Sequence, residues 1–325
     1  MQKVSIIIPA FNASATIETC LKSVYQQDYP NIEVIIVDDC STDDTLQKAS
    51  GFPVRIISNK RNLGAAYSRN VGARSAKSEI LIFADSDIVI PRDGVSRITQ
   101  RLLEQQDILI VGATYSENSR HLNFISDFKN LDLSYRYSLA PDYVRYLSGH
   151  FFALKKSTFF DCGSFSTHFP NSSVEDMAFF YSEKGNKILF LDKNIKVDHL
   201  KMYSFFDMLK TDFAKVINMI KIIKDSQGKY KAGQQIPLPY FLNIPLSILV
   251  ILSIVVGAMF KVWWISGLLI FAFTVNNIVF MHFLILKRGI FFAIKGFFIL
   301  FIEYITVGLS IFISVLINIP RPLRR

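Results

Sequence analysis

The first half of the chain alternates two hydrophobic periods. Val4-Ser5-Ile6-Ile7-Ile8 is a short, nearly continuous apolar run suited to a buried strand, and Pro9 is expected to end it. Ile17, Cys20, Leu21, Val24 and Tyr25 then recur at steps of 3, 1, 3 and 1, the stripe of a helix that Tyr29-Pro30-Asn31 breaks. Residues 33–37 and 54–57 read as the second and third strands, 64–76 as a helix and 80–84 as the fourth strand. Repeated β-α-β units predict an α/β fold on a mainly parallel sheet with helices covering its faces. Ligands of such sheets bind beyond the carboxyl ends of the strands. Asp38-Asp39 and Asp85-Ser86-Asp87 each follow directly on a strand, so both are expected on one rim.

From Tyr203 the pattern changes. Phe206, Leu209, Phe213, Val216, Ile217, Ile220 and Ile223 form one apolar face, flanked by Lys210, Asp212, Lys215, Lys221 and Lys224. Two readings fit: a helix lying in a membrane interface, or a surface helix packed on its own domain. The sequence that follows favours the interface. Residues 232–260 and 262–286 carry no formal charge, and 290–320 is interrupted only by Lys295 and Glu303. Such runs are long enough to cross a bilayer. The expected organisation is a polar domain over 1–202, an amphipathic helix and linker over 203–232, and a membrane region over 233–325. Its spans are expected at 238–260, 262–286 and 297–319, with Trp263-Trp264 as interface anchors.

Charge and cysteine usage refine this picture. The net charge of +9 would suit nucleic acid, but a lysine-rich segment beside apolar spans is better matched by anionic lipid headgroups. Cys20, Cys40 and Cys162 are odd in number and widely spaced, which gives neither a disulfide framework nor a zinc pattern. Met1-Gln2-Lys3 leads straight into a strand-like run too short for a signal core, so the polar domain is expected on the cytoplasmic side of a cell membrane. That orientation puts Lys287, Arg288 and Lys295 on the cytoplasmic side too, but three spans leave Arg321, Arg324 and Arg325 outside. Either the last segment is re-entrant or the tail is an exception to the positive-inside rule. Glu303 reads as part of a polar headgroup path, or as a snorkelling side chain paired with Lys295.

The candidate chemistry lies in the polar domain. With 19 Asp in 325 residues, about one Asp-x-Asp arises by chance, so Asp85 and Asp87 gain meaning only from their position. Two carboxylates at a strand end suit a hard divalent cation such as Mg²⁺ or Mn²⁺, which also takes phosphate and water oxygens. Asp38-Asp39 precedes the turn-forming Ser41-Thr42-Asp43, and a carboxylate there can accept from a base N–H or ribose hydroxyls. Gly64 permits close backbone approach to a ligand, while Arg69 suits either a phosphate or a carboxylate, including one in the Asp loop. Glu175-Asp176 opens an apolar helix, where an acidic pair is either a first-turn dipole partner or a catalytic base.

In their order along the chain these stretches resemble the family-2 glycosyltransferases, inverting enzymes of GT-A fold that use nucleotide-sugars. The likeness runs through VSIIIPAFNASATIETCLKSVYQQDYPNIEVIIVDDCSTDDT, NLGAAYSRNVGARSAKSEILIFADSD, GHFFALKKSTFFDCGSFSTHF and VEDMAFF, and ends near KVDHL. It covers about the first 200 residues, and Cys40 stands where the family usually has Gly, Asn or Ser. The resemblance implies nucleobase contact by Asp39, with Pro9-Ala10-Phe11 lining the pocket and Gly64 and Arg69 nearby. It implies Asp87 on the metal, Asp85 near the ribose or a metal-bound water, and His199 completing the site. Asp176, beside Glu175, becomes the general base. Arg136, Arg145 and His150 fall where acceptor or diphosphate contacts are expected, with ordinary surface arginines as the alternative.

The resulting expectation is an inverting, metal-dependent transferase acting on a hydroxyl of a lipid-linked or membrane-borne glycan. Two alternatives remain: a polyprenyl-phosphate acceptor, or a catalytically inactive membrane scaffold. Nucleic acid is excluded as a partner, and a homo-oligomer is left open.

Overall fold

The computed structural model describes residues 1–105, 107–118, 120, 123–167, 174–180, 188–225 and 238–317. His168-Phe169, the linker residues 226–237, the last two residues of the third expected span and Arg321, Arg324 and Arg325 lie outside them. The chain divides into two compact units, Met1–Met202 and Tyr203–Arg325.

The first unit opens with β1 (Val4–Ala10), α1 (Ile17–Tyr25), β2 (Ile32–Asp38), α2 (Thr45–Ala49), β3 (Arg55–Ser58), α3 (Ala65–Ser75) and β4 (Ile80–Ala84). It continues with β5 (Ile88–Val89), α4 (Gly94–Glu104), β6 (Ile110–Tyr115), α5 (Phe124–Leu139) and β7 (Tyr143–Val144). β8 (Phe151–Lys155), α6 (Lys156–Asp161), α7 (Glu175–Phe180) and β9 (Leu189–His199) complete it. The sheet order is β3-β2-β1-β4-β8-β6-β9-β5, with β7 paired to β9.

The strands β3, β2, β1 and β4 are parallel, as the alternating pattern predicts. Beyond β4 the sheet is mixed. β8 enters at the rim where β4 ends, with Phe151 opposite Ala84, and so must run antiparallel to it. That reversal brings Gly149-His150 to the rim that carries Asp85. β1 also continues through Pro9, contrary to expectation. Its pairing with β4 stops at Ile7, so the missing N–H of Pro9 leaves no bond unmade on that side.

Strand alternation divides the core between the two faces. Ile6, Ile8, Val34, Ile36 and Ile82 pack with Ile17, Leu21 and Val24 of α1 and with Val95, Ile98 and Leu102 of α4. Ile7, Val37, Leu81 and Phe83 face the other way, onto Ala66 and Ala73 of α3. Phe152, Phe159, Phe165 and Phe179 join that second layer. Phe165 stacks on Phe179 at 4.5 Å and Phe83 on Phe152 at 4.9 Å. Burying each ring contributes about 2–3 kcal/mol, and the cluster anchors α7, the helix that carries Glu175-Asp176.

The second unit contains α8 (Phe205–Asp225), α9 (Leu238–Phe260), α10 (Trp263–Asn276), α11 (Ile278–Arg288) and α12 (Ile290–Ile317). Among the described residues, Tyr240–Phe260 and Ile290–Leu316 are each long and apolar enough to cross a membrane. The second expected span is not one straight helix: α10 and α11 bend by 61° at Asn277. Asn277 is buried and its amide donates to Asn243 Oδ1 and to Phe273 O, at 2.8 and 2.7 Å. Asn276 donates to the same Asn243 oxygen at 2.7 Å. These bonds hold the break against α9, as polar residues do between apolar helices. Tyr240 lies beside Tyr304, and Ile244 and Ile248 meet Gly308, so α9 and α12 run in the same direction.

Candidate active site

The parallel half of the sheet delivers the first group of side chains. Ala10 is level with Asp38 across β1 and β2, and Asp39 N–H donates to Ala10 O at 2.8 Å. The Pro9-Ala10-Phe11 segment therefore lies beside the aspartate pair, with Phe11 half exposed. Asp39 is buried, and its Oδ1 accepts from Asn59 Nδ2 at 2.7 Å and from Leu63 N–H at 3.0 Å. Its Oδ2 accepts from Leu63 and Gly64 N–H at 3.1 and 2.7 Å. Three donors hold the carboxylate, the Leu63 N–H shared between its two oxygens, so Asp39 shapes the loop into α3. Gly64 turns that loop at φ 88°, a left-handed position that suits glycine.

Arg69 projects from α3 into the centre of the site. Its Nη2 lies 2.7 Å from Asp85 Oδ1 and its Nη1 3.0 Å from Glu175 Oε1. It is buried, and its ring neighbour Phe165 is 5.3 Å from the guanidinium carbon. Both of these partners are carboxylates, one of them in the Asp loop. Arg69 thus ties the Asp85 loop to α7.

Asp87 points away from Arg69. Its Oδ2 lies 3.8 Å from His199 Nε2, and Leu200 N–H donates to Asp87 O at 2.7 Å. Register accounts for the meeting: Ile88 of β5 pairs with His199 of β9. Burial pushes the carboxyls of both Asp85 and Asp87 up, opposed mainly by Arg69 at Asp85 and by Lys201 at Asp87. Among the described residues, no cluster of three His, Cys, Asp or Glu side chains closes around an ion.

Asp176 sits in the first turn of α7, next to the Glu175 that Arg69 holds. Burial and the neighbouring Glu175 push its carboxyl up to about 6, against the Gly149 N–H and Arg69. Gly149 N–H donates to Asp176 Oδ2 at 3.0 Å, and a side chain at 149 would press on Arg69 Nη2 at 3.3 Å and Asp176 Cβ at 3.4 Å. The fit is close on both sides. A buried carboxyl that titrates near neutrality suits proton transfer.

The remaining expected contacts fare differently. His150 is fully buried, stacked at 4.0 Å on Tyr115 and edge-on to Tyr137, with its pKa pushed down by burial to about 3. It is a neutral ring inside the fold and offers no cation to a diphosphate or acceptor; its backbone O accepts from Asp85 N–H at 2.9 Å. Arg136 grips buried Asp132 with two bonds of 2.8 Å one helical turn back on α5. Arg145 is exposed in the loop after β7. Sequence reasoning missed Tyr146, whose hydroxyl donates to Asp176 Oδ2 at 3.1 Å. No local pattern marks it, because its partner lies 30 positions away.

The sequence model described as "Glycosyl transferase family 2" matches residues 5–167. A glycosyltransferase of Haemophilus influenzae, itself uncharacterised, is 42% identical over 32% of this chain and 36% of its own length. WfaP of Escherichia coli, named as a UDP-Glc:α-D-GlcNAc-diphosphoundecaprenol β-1,3-glucosyltransferase, is 43% identical over 27% of this chain and 36% of its own. A Campylobacter jejuni protein named as a GalNAc(5)-diNAcBac-PP-undecaprenol β-1,3-glucosyltransferase is 26% identical over 57% of this chain and 61% of its own. The chain thus spans less than two thirds of the length of these relatives. The fold matches that of the mannosyltransferase PcManGT of Pyrobaculum calidifontis at a TM-score of 0.56 and 18% identity, over 95% of this chain and 87% of that one. The expected GT-A architecture is therefore present.

Proposed function

Since the chain belongs to glycosyl transferase family 2, which its residues 5–167 match, we propose that it is an inverting glycosyltransferase that moves a sugar from a nucleotide-sugar to a hydroxyl of a lipid-linked glycan. One observation carries the reading. Asp176, a buried carboxyl pushed up to about 6, follows directly on Glu175, which Arg69 joins to Asp85 of the loop that also carries Asp87. A carboxylate with that proton affinity accepts the acceptor's hydroxyl proton as the glycosidic bond forms. One displacement from the face opposite the leaving diphosphate inverts the anomeric carbon, so no second carboxylate nucleophile is needed.

Asp87 and His199 fit a divalent cation as two of its donors, with the rest of the shell left to diphosphate oxygens and water. Bound there, Mg²⁺ or Mn²⁺ supplies positive charge to the departing diphosphate. Asp85 is held by Arg69 with one oxygen committed, which leaves its other oxygen for the ribose or a metal-bound water. The Asp39-shaped loop and Pro9-Ala10-Phe11 form the walls for the nucleotide.

The named relatives support the acceptor class, since both undecaprenol-dependent enzymes extend lipid-linked sugars. The second unit supports a membrane setting. Its outer surface carries Leu252, Val255, Trp264, Leu268, Phe271, Leu286, Phe291 and Phe298, all exposed, while Asn243, Asn277, Glu303 and Ser310 are buried. Apolar outside and polar inside suits lipid rather than water. With α9 and α12 running the same way, Lys287, Arg288 and Lys295 return to the side where α9 begins. We assign that side to the cytoplasm and to the catalytic unit. α8, with its apolar stripe and flanking lysines, lies in the interface.

The test is the detergent-purified full chain with Mn²⁺, a panel of UDP-, GDP- and dTDP-sugars and diphosphoundecaprenol-linked GlcNAc. Nucleotide release together with a lengthened lipid-linked sugar is the expected result. Absence of transfer and of donor hydrolysis across the panel overturns the reading.

A further inference from the structure

Among the described residues, three donors surround the Asp176 carboxylate. Tyr146 Oη and Gly149 N–H donate to Oδ2 at 3.1 and 3.0 Å, and Met177 N–H donates to Oδ1 at 2.7 Å. A carboxylate offers about four lone-pair positions, so a single one, on Oδ1, is left to receive a proton. Two of the three donors are backbone groups that the fold itself fixes. The third is a side chain. Its ring packs edge-on against Phe180 at 6.1 Å, and Phe180 meets Phe152 of the aromatic cluster at 5.3 Å. The hydroxyl is therefore aimed from a rigid base.

We propose that Tyr146 is a positioning residue for Asp176: it turns the carboxylate so that Oδ1 alone faces the acceptor hydroxyl, and it favours the ionised form that can act as a base. The inference rests on the reading of Asp176 as that base. Among the described residues, the charged and titratable groups facing Asp176 are Glu175 on its own helix, Arg69 from α3, Tyr137 at the end of α5 and Tyr146 itself. Burial and Glu175 oppose ionisation, while the Gly149 N–H, Arg69 and the Met177 N–H support it. Burial holds the Tyr146 phenol well above its ordinary pKa, so it remains a donor throughout the working range.

The sign follows directly. Removing a donor to the carboxylate raises the pH needed to ionise it, so Tyr146→Phe should move the acid limb of kcat/KM upward by about one unit. It should lower kcat about tenfold, through lost orientation of the base, with KM for the nucleotide-sugar unchanged. Phe keeps the ring packing, so the melting temperature should stay near that of the parent.

The experiment uses the full chain in detergent, with UDP-glucose and diphosphoundecaprenol-linked GlcNAc as the probe pair. A substrate-free arm follows carboxyl protonation by infrared difference spectroscopy, with Asp176→Asn identifying the Asp176 band. The expected result is an upward shift of that band's midpoint in Y146F, together with the kinetic split above, and no further loss when Y146F is added to D176N. An unshifted midpoint and parental kcat in Y146F, with D176N inactive, overturn the inference and leave the base assignment standing. Parental activity in D176N overturns the base assignment itself.

Discussion

Arg69 and Glu175, 106 positions apart in the chain, meet at 3.0 Å inside the first unit. The same guanidinium holds Asp85 at 2.7 Å, so a single buried cation joins the strand-end loop to the helix of the proposed base. Removing it leaves two carboxylates facing each other without compensation. Arg69→Ala should destabilise the domain by about 3–5 kcal/mol, seen as a lowered melting temperature. Arg69→Lys keeps the charge but not the two-pronged geometry, and should fold while losing most of its turnover. A parental rate in R69K would remove the fork from the list of requirements.

Activity should rise with pH through about 6 and level off above it, because the proposed base works only when ionised and its pKa is raised to about that value. Asp176→Asn should lose about 10²–10⁴-fold in kcat if the acceptor is a hydroxyl. A phosphate acceptor is already ionised and needs no base. Substantial activity in D176N, read by product formation from polyprenyl phosphate, would therefore reassign the acceptor.

Metal dependence has its own variants. Asp87→Ala should abolish Mn²⁺-supported turnover and weaken Mn²⁺ binding in the presence of the nucleoside diphosphate, measured by calorimetry. His199→Ala should weaken it less, since imidazole is a softer ligand for these ions than carboxylate. Full metal-dependent activity in D87A would sink the assignment.

Cys40 lies at φ 67°, in the left-handed region, directly after the buried Asp38-Asp39 pair. Here the sequence departs from the Gly, Asn or Ser usual in the family it resembles, and the backbone supplies a reason for that preference. Asn tolerates the conformation better than Cys and adds no backbone freedom to the unfolded chain. Cys40→Asn should stabilise by about 0.5–1 kcal/mol, visible in thermal unfolding, without changing turnover.

Much of the catalytic unit was legible because its signals are local. Each of the first four strands is a short apolar run, and α1 between the first two carries a 3.6-residue apolar stripe. The carboxylates could be placed on one rim because parallel strands share a direction. What failed locally failed for tertiary reasons. Pro9 belongs to a strand because the neighbouring pairing has already stopped. The apolar run 262–286 is broken at Asn277 because Asn243, more than 30 positions earlier, receives its amide. The positions of His150 and Arg136 in the sequence say nothing of their neighbours, which prove to be Tyr115 for the one and Asp132 for the other.

Hydrophobic periodicity and the order of the acidic motifs were enough to establish the α/β class, the family resemblance and the apolar C-terminal region, since each depends on residues close in sequence. Pairing was decided elsewhere. That Arg69 takes two carboxylates and that Tyr146 reaches Asp176 follow only once β8 turns back beside β4 and the phenylalanine cluster fixes α7. Hydrogen bonds and ion pairs act over about 3 Å of space, and a sequence pattern records no distance between residues 30 or 106 positions apart.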